Sequence, residues 1–127
     1  MNDEITNTGK DAITQQIIGA ALEISNALGH GFLEAVYRKA LMHELQLRGL
    51  TVNEEVAFKV HYKGAPVGRY VADLVVADRI IVEIKAVDCI LPVHVSQTPN
   101  YLNASGLQIG LLLNFGTSKV GIRRIVR

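Results

Sequence analysis

Three charged residues stand where charge is costly. Asp73 lies within Val71-Ala72-Asp73-Leu74-Val75-Val76, and Glu83 and Lys85 lie within Ile80-Ile81-Val82-Glu83-Ile84-Lys85-Ala86-Val87. Both runs read as apolar strands, and an unpaired charge buried in such a strand costs a great deal of free energy. Alternate strand residues share a face, so Glu83 and Lys85 point the same way, roughly 7 Å apart. The link between the two runs is short, Ala77-Asp78-Arg79. If it forms a hairpin loop, Val76 pairs with Ile80 and Asp73 falls opposite Glu83. Opposed residues have Cβ atoms roughly 5 Å apart, and facing like charges weaken a sheet. A bulge in the loop would shift this register by one.

Two readings of the three charges are open. In one, a divalent cation sits between the carboxylates. Oxygen ligands favour Mg²⁺ or Mn²⁺ over zinc, and Lys85 would hold a water or balance charge on a phosphoryl group. In the other, Lys85 neutralises one carboxylate in a buried ion cluster. Glu34, in Gly31-Phe32-Leu33-Glu34-Ala35-Val36-Tyr37, is a further candidate, or simply a first-turn acid favoured by the helix dipole. His94, Gln97 and Tyr101 are spaced to share one face of a later helix, which is either a polar wall of a site or a solvent face. His30, His43 and His61 show no ligand spacing. Cys89 lacks a nucleophile's setting and reads as a small buried hydrophobe.

The elements that must position these residues follow from periodicity. Residues 1–11 are polar and read as a flexible N-terminus, with Asp11 able to cap a helix. Ile13, Ile17, Ala20, Ile24 and Leu28 mark one helical face, ended by Gly29. Leu33, Val36, Tyr37, Ala40, Leu41 and Leu45 mark a second helix, about 31–48, ended by Gly49. Period two then takes over: strands over 52–62, 67–76 and 80–87, with Lys63-Gly64-Ala65-Pro66 as a turn. Leu91-Pro92 precedes a helix ending near Gly106. Pro99 interrupts it, and an interior proline costs about 3 kcal/mol. A helix starting near Ser96 would avoid this cost and leave His94 outside. Strands over 107–114 and 121–127 complete the order α-α-β-β-β-α-β-β, in which the strand after the crossover helix is expected to run parallel to an earlier one.

Composition sets the bounds. The 127 residues suit one domain, here 12–127. With 49% hydrophobic and 20% charged residues, the chain is not disordered. No apolar run is long enough to span a membrane. The acidic start Met1-Asn2-Asp3-Glu4 lacks the cationic opening of a signal peptide, and one cysteine permits no internal disulfide. A cytoplasmic location is the expectation. Net charge is +1, with six basic and eight acidic residues in 1–63 and seven and four in 64–127. Arg123, Arg124 and Arg127 crowd the C-terminus, as a solvated tail would.

The motifs also resemble a known family. Gly31-x-x-Glu34-x-x-Tyr37 is similar to the signature of the bacterial and archaeal GxxExxY family. So are the runs Tyr62-Lys63-Gly64, Ala72-Asp73-Leu74-Val75-Val76, Val82-Glu83-Ile84-Lys85-Ala86, Leu91-Pro92-Val93-His94 and Leu112-Leu113-Asn114-Phe115-Gly116. The likeness spans about 12–126. That family resembles the PD-(D/E)XK nuclease-like superfamily. The resemblance implies an α/β fold: a mixed sheet on a restriction-endonuclease-like α-β-β-β-α-β core, here with an extra N-terminal helix and C-terminal strand. It implies Asp73 and Glu83 as Mg²⁺ or Mn²⁺ ligands, Lys85 as catalytic lysine and Glu34 as an acid from the first core helix. Gln97-x-x-x-Tyr101 resembles the helical motif that lies beside the site and contacts nucleic acid. The expected function is metal-dependent hydrolysis of phosphodiester bonds in nucleic acid, DNA rather than RNA. The alternative is an inactive nuclease-fold module that binds nucleic acid or protein. Small size and near-neutral charge leave little surface for a duplex, so a homodimer or a protein partner is expected.

Overall fold

In a computed structural model, the backbone is described from Asn2 and side chains from Ala12 to Arg127. Two helices, α1 (Asn2–Leu28) and α2 (Glu34–Leu47), precede β1 (Val52–Tyr62), β2 (Ala65–Val76) and β3 (Ile80–Lys85). Helix α3 (Pro92–Ser105), β4 (Ile109–Asn114) and β5 (Gly121–Val126) follow. The sheet order is β1-β2-β3-β4-β5, with β3 and β4 parallel and the other neighbours antiparallel. This is a mixed α/β fold, as the periodicity predicts. Helix α1 starts before Asp11, so Asp11 is not its cap. The side chains of 1–11, and with them the expected flexible N-terminus, lie outside the described residues.

One sheet face is closed by α1 and α2. Ile17, Ala20, Ile24, Tyr37, Leu41 and Leu45 pack there on Leu74, Val76, Ile80, Val82, Ile84, Leu111 and Leu113. Leu28, Leu33 and Val36 continue the helical period but remain exposed. Ser25 ties α1 to the β4–β5 loop by accepting the Val120 N–H at 3.1 Å. Helix α3 covers the other face, where Leu102 meets Ile81, Val75, Ala72 and Tyr70. Gly110 lets it lie close, since a Cβ there would come within 2.8 Å of Thr98 Cγ2.

Three local expectations are corrected. The β1–β2 turn is only Lys63-Gly64, with φ of 48° and 82°, so both central residues are left-handed as in a type I′ hairpin. Ala65 and Pro66 already belong to β2. Helix α3 starts at Pro92, not Ser96, so Pro99 lies inside it and His94 in its first turn. Proline at the first helical position fits because its missing N–H has no partner to lose there. The His94 Nδ1 then accepts the Leu91 N–H at 3.0 Å, which secures the helix entry. Cys89 is exposed, not buried, because β3 ends at Lys85 and the chain leaves the sheet before reaching it.

The exit of β3 is clamped. Asn114, almost fully buried, accepts the Val87 N–H at 3.0 Å and donates to the Val87 carbonyl at 2.9 Å. Its Oδ1 also accepts the Gly116 N–H at 3.0 Å. A Cβ on Gly116 would fall 2.2 Å from the Val87 carbonyl oxygen, so only glycine fits. Asn114→Ala would leave three backbone groups unpaired and should cost about 2–3 kcal/mol in denaturant unfolding. Asn114→Asp keeps the acceptor but sets a buried carboxylate oxygen against the Val87 carbonyl, and should cost at least as much at neutral pH.

Candidate active site

The β2–β3 register is Leu74 with Val82, Val75 with Ile81 and Val76 with Ile80, as the hairpin arithmetic predicts, without a shift. The next pair, Asp73 and Glu83, does not continue the ladder. The Ile84 N–H donates to Asp73 Oδ2 at 2.8 Å, and the Asp73 N–H reaches Glu83 Oε2 at 3.4 Å. Side chains replace main-chain bonds at this position. On the other flank, Glu55 lies between the pairs Glu54–Leu74 and Val56–Ala72, with φ of 52°. Strand β2 is thus irregular on both sides at Asp73.

The irregularity changes which face is buried. Leu74 and Val76 belong to the core under α1 and α2, whereas Tyr70 and Ala72 belong to the cluster under α3. Val52 and Val56 in β1 divide in the same way. Strict alternation would put residues 70, 72, 74 and 76 on one face. The switch sends Tyr70 to the side of Glu83, where its hydroxyl donates to Glu83 Oε1. The Tyr70 ring stacks on Tyr101, centroids 3.5 Å apart and 6° from parallel. Tyr70 is the pocket residue that period-two reading misses.

A pocket of about 180 Å³ gathers the predicted residues. Asp73, Glu83 and Lys85 come from the sheet, Glu34 from the start of α2, and His94, Gln97 and Tyr101 from α3. His94 thus shares the α3 face with Gln97 and Tyr101 after all, since α3 begins early enough to include it. Tyr101 donates from its hydroxyl to Gln97 Oε1 at 3.2 Å. The GxxExxY-like spacing has a structural explanation in this region. Tyr37, fully buried, donates to the Gly29 carbonyl at 2.7 Å, accepts the Phe32 N–H at 3.3 Å and stacks on Phe115. It pins the α1–α2 loop, in which Gly31 has φ of 115°, and so fixes where α2 begins with Glu34. Arg38 and Lys39 then tie α2 to Glu54 of β1, at 3.4 and 2.6 Å.

Burial dominates the electrostatics. It pushes the Asp73 carboxyl above its ordinary range, with the Ile84 N–H opposing and the Glu34 charge adding. It pushes Glu83 up to about 7, against the Asp73 N–H and Lys85. The Tyr101 hydroxyl is also raised, first by burial and then by Glu83 and Asp73. Lys85 makes no ion pair with either carboxylate among the described residues, which weighs against the closed ion cluster.

The described residues contain no cluster of three or more His, Cys, Asp or Glu side chains arranged to hold a metal. Two adjacent carboxylates still fit a hard cation that keeps several of its waters, as Mg²⁺ does. Asp73 Oδ1 has no hydrogen-bond partner among the described residues and remains available as a ligand.

The fold and this constellation are those of a nuclease-like protein. A family model of the PD-(D/E)XK nuclease superfamily matches residues 11–125, and the chain belongs to that superfamily. Neither the curated proteins nor the solved structures gave a match. No helix among the described residues is long and apolar enough to cross a membrane.

The raised Glu83 predicts a pH effect without metal. Below about 4.5 the carboxyl is protonated in both folded and unfolded chains. Between about 4.5 and 7 the unfolded chain loses this proton first, so stability falls as pH rises. The full penalty, on the order of 3 kcal/mol, is reached above about 7. Thermal melting from pH 5 to 7.5 should show this loss in the wild type and a clearly smaller loss in Glu83→Gln.

Proposed function

We propose that the chain is a GxxExxY-type member of the superfamily and hydrolyses phosphodiester bonds in nucleic acid, DNA rather than RNA, with Mg²⁺ or Mn²⁺. The convergence of Asp73, Glu83 and Lys85 on one pocket carries the reading. Asp73 and Glu83 would hold the cation, and the cation would supply charge neutralisation at the phosphate and lower the pKa of a bound water. The Ile84 N–H fixes one Asp73 oxygen and leaves the other for the ligand role. Tyr70 orients Glu83. Its hydrogen bond favours the ionised carboxylate that a cation needs, against burial.

Lys85 follows Glu83 by two residues on the same face, so its ammonium can reach a phosphate oxygen or the attacking water. Glu34 enters from α2 as a further acid, close enough to raise both carboxylates. Gln97 and Tyr101 form the α3 wall, where an amide and a hydroxyl can meet a nucleotide.

The test uses Lys85→Met, which replaces the charged stem with an apolar side chain of similar length. One well-placed cationic donor in a transition state is commonly worth about a hundredfold or more in rate. Purified wild type is incubated with plasmid, single-stranded DNA and RNA in Mg²⁺ or Mn²⁺. Wild-type cleavage lost in Lys85→Met, with near-normal melting, is the expected outcome. Undiminished cleavage by the variant would reject the role. Nucleic-acid binding without cleavage by the wild type would instead identify the inactive binding module.

A further inference from the structure

The β1–β2 hairpin outruns the rest of the sheet. Pairing of β2 with β3 stops at Leu74, while pairing of β1 with β2 continues to Tyr62 and Ala65. The overhanging arm stands apart from the other strands, and a groove of about 730 Å³ separates it from α3. The stacked Tyr70 and Tyr101 rings wall both this groove and the carboxylate pocket, so the two adjoin across that pair.

The groove has one sign of charge. Lys59, His61 and Arg69 line it from the arm, Asn100 and Asn103 from α3, and no acidic residue does. Lys59 and Arg69 are direct cross-strand partners. Facing like charges weaken a two-stranded arm that has little other support. Neither cation makes an ion pair among the described residues, although Arg38, Lys39 and Arg48 all do. The asymmetry makes physical sense if an anion lies over the pair.

We propose that this groove holds a single-stranded segment of nucleic acid, with Lys59 and Arg69 on its phosphates, and leads that strand to the carboxylate pocket. The inference rests on the nuclease reading of that pocket. The volume is that of a site enclosing a ligand of a few rings and is too small to enclose a double helix. The side chains of Asn100 and Asn103, which make no hydrogen bond inside the protein among the described residues, supply donors and acceptors for sugar or base edges. A basic track with aromatic residues beside it is the usual way to bind one strand without sequence preference.

The experiment is fluorescence anisotropy in EDTA, which prevents cleavage, with a labelled single-stranded oligonucleotide and its duplex across a salt series. Wild type should prefer the single strand. The double variant Lys59→Gln/Arg69→Gln should bind about tenfold more weakly at moderate salt. Its log–log salt slope should be shallower by about 1.4, the release expected for two single-strand phosphates. Lys119→Gln, remote from the groove, should bind like wild type. Melting of the double variant should be unchanged or higher, because a repulsive pair is gone. Arg69→Gln alone, with half the slope change, serves if the double variant fails to fold. Unchanged affinity and slope, preference for duplex, or no wild-type binding would each overturn the proposal. Charge-dependent binding without any cleavage would sink the nuclease reading and keep the groove. Cleavage of single strands indifferent to both substitutions would do the reverse.

Discussion

The structure depends on one interruption of its sheet. At Asp73 and Glu83 the main-chain ladder stops, and two carboxylates take the N–H groups that a neighbouring strand would have used. Two acids facing each other in a half-buried position repel, and burial adds the cost of removing their charge from water. Backbone N–H donors and the Tyr70 hydroxyl offset part of this. Burial first, with the Glu34 charge adding, still leaves the Glu83 carboxyl elevated. A cation would offset what remains, which is why an unfavourable arrangement here reads as a site and not as a defect of the fold.

The surrounding elements hold that arrangement in place. Asn114 and Gly116 fix the chain just beyond Lys85. Tyr37 sets the start of α2 and therefore Glu34. Gly110 admits α3 closely enough for Gln97 and Tyr101 to reach the pocket. Each runs from a residue type to a backbone constraint to the placement of one polar side chain. The polar groups are held by packed elements on both sheet faces, which suits a site that must be preorganised.

Much of this was legible in the sequence. The short Ala77-Asp78-Arg79 link fixes the register, and with it the meeting of Asp73 and Glu83. The spacing of two places Lys85 beside Glu83. Tyr70 was not legible, because its face depends on the irregularity at Glu55 and Asp73, and alternation carries no sign of that break. The start of α3 at Pro92 is likewise not visible in the local pattern. A local penalty at Pro99 argued for a shorter helix, but Pro92 and the His94–Leu91 hydrogen bond begin it earlier. The groove beside the hairpin arm also escaped the sequence, since it needs the arm to outrun β3.

The central claim is that Asp73 and Glu83 are brought together to share a divalent cation. Anomalous diffraction from a crystal soaked in Mn²⁺ tests it most directly. The account predicts a single strong peak within coordination distance of both carboxylates, absent from Asp73→Asn crystals soaked in the same way. A peak that persists in Asp73→Asn, or an empty position between carboxylates left in their metal-free arrangement, would contradict it.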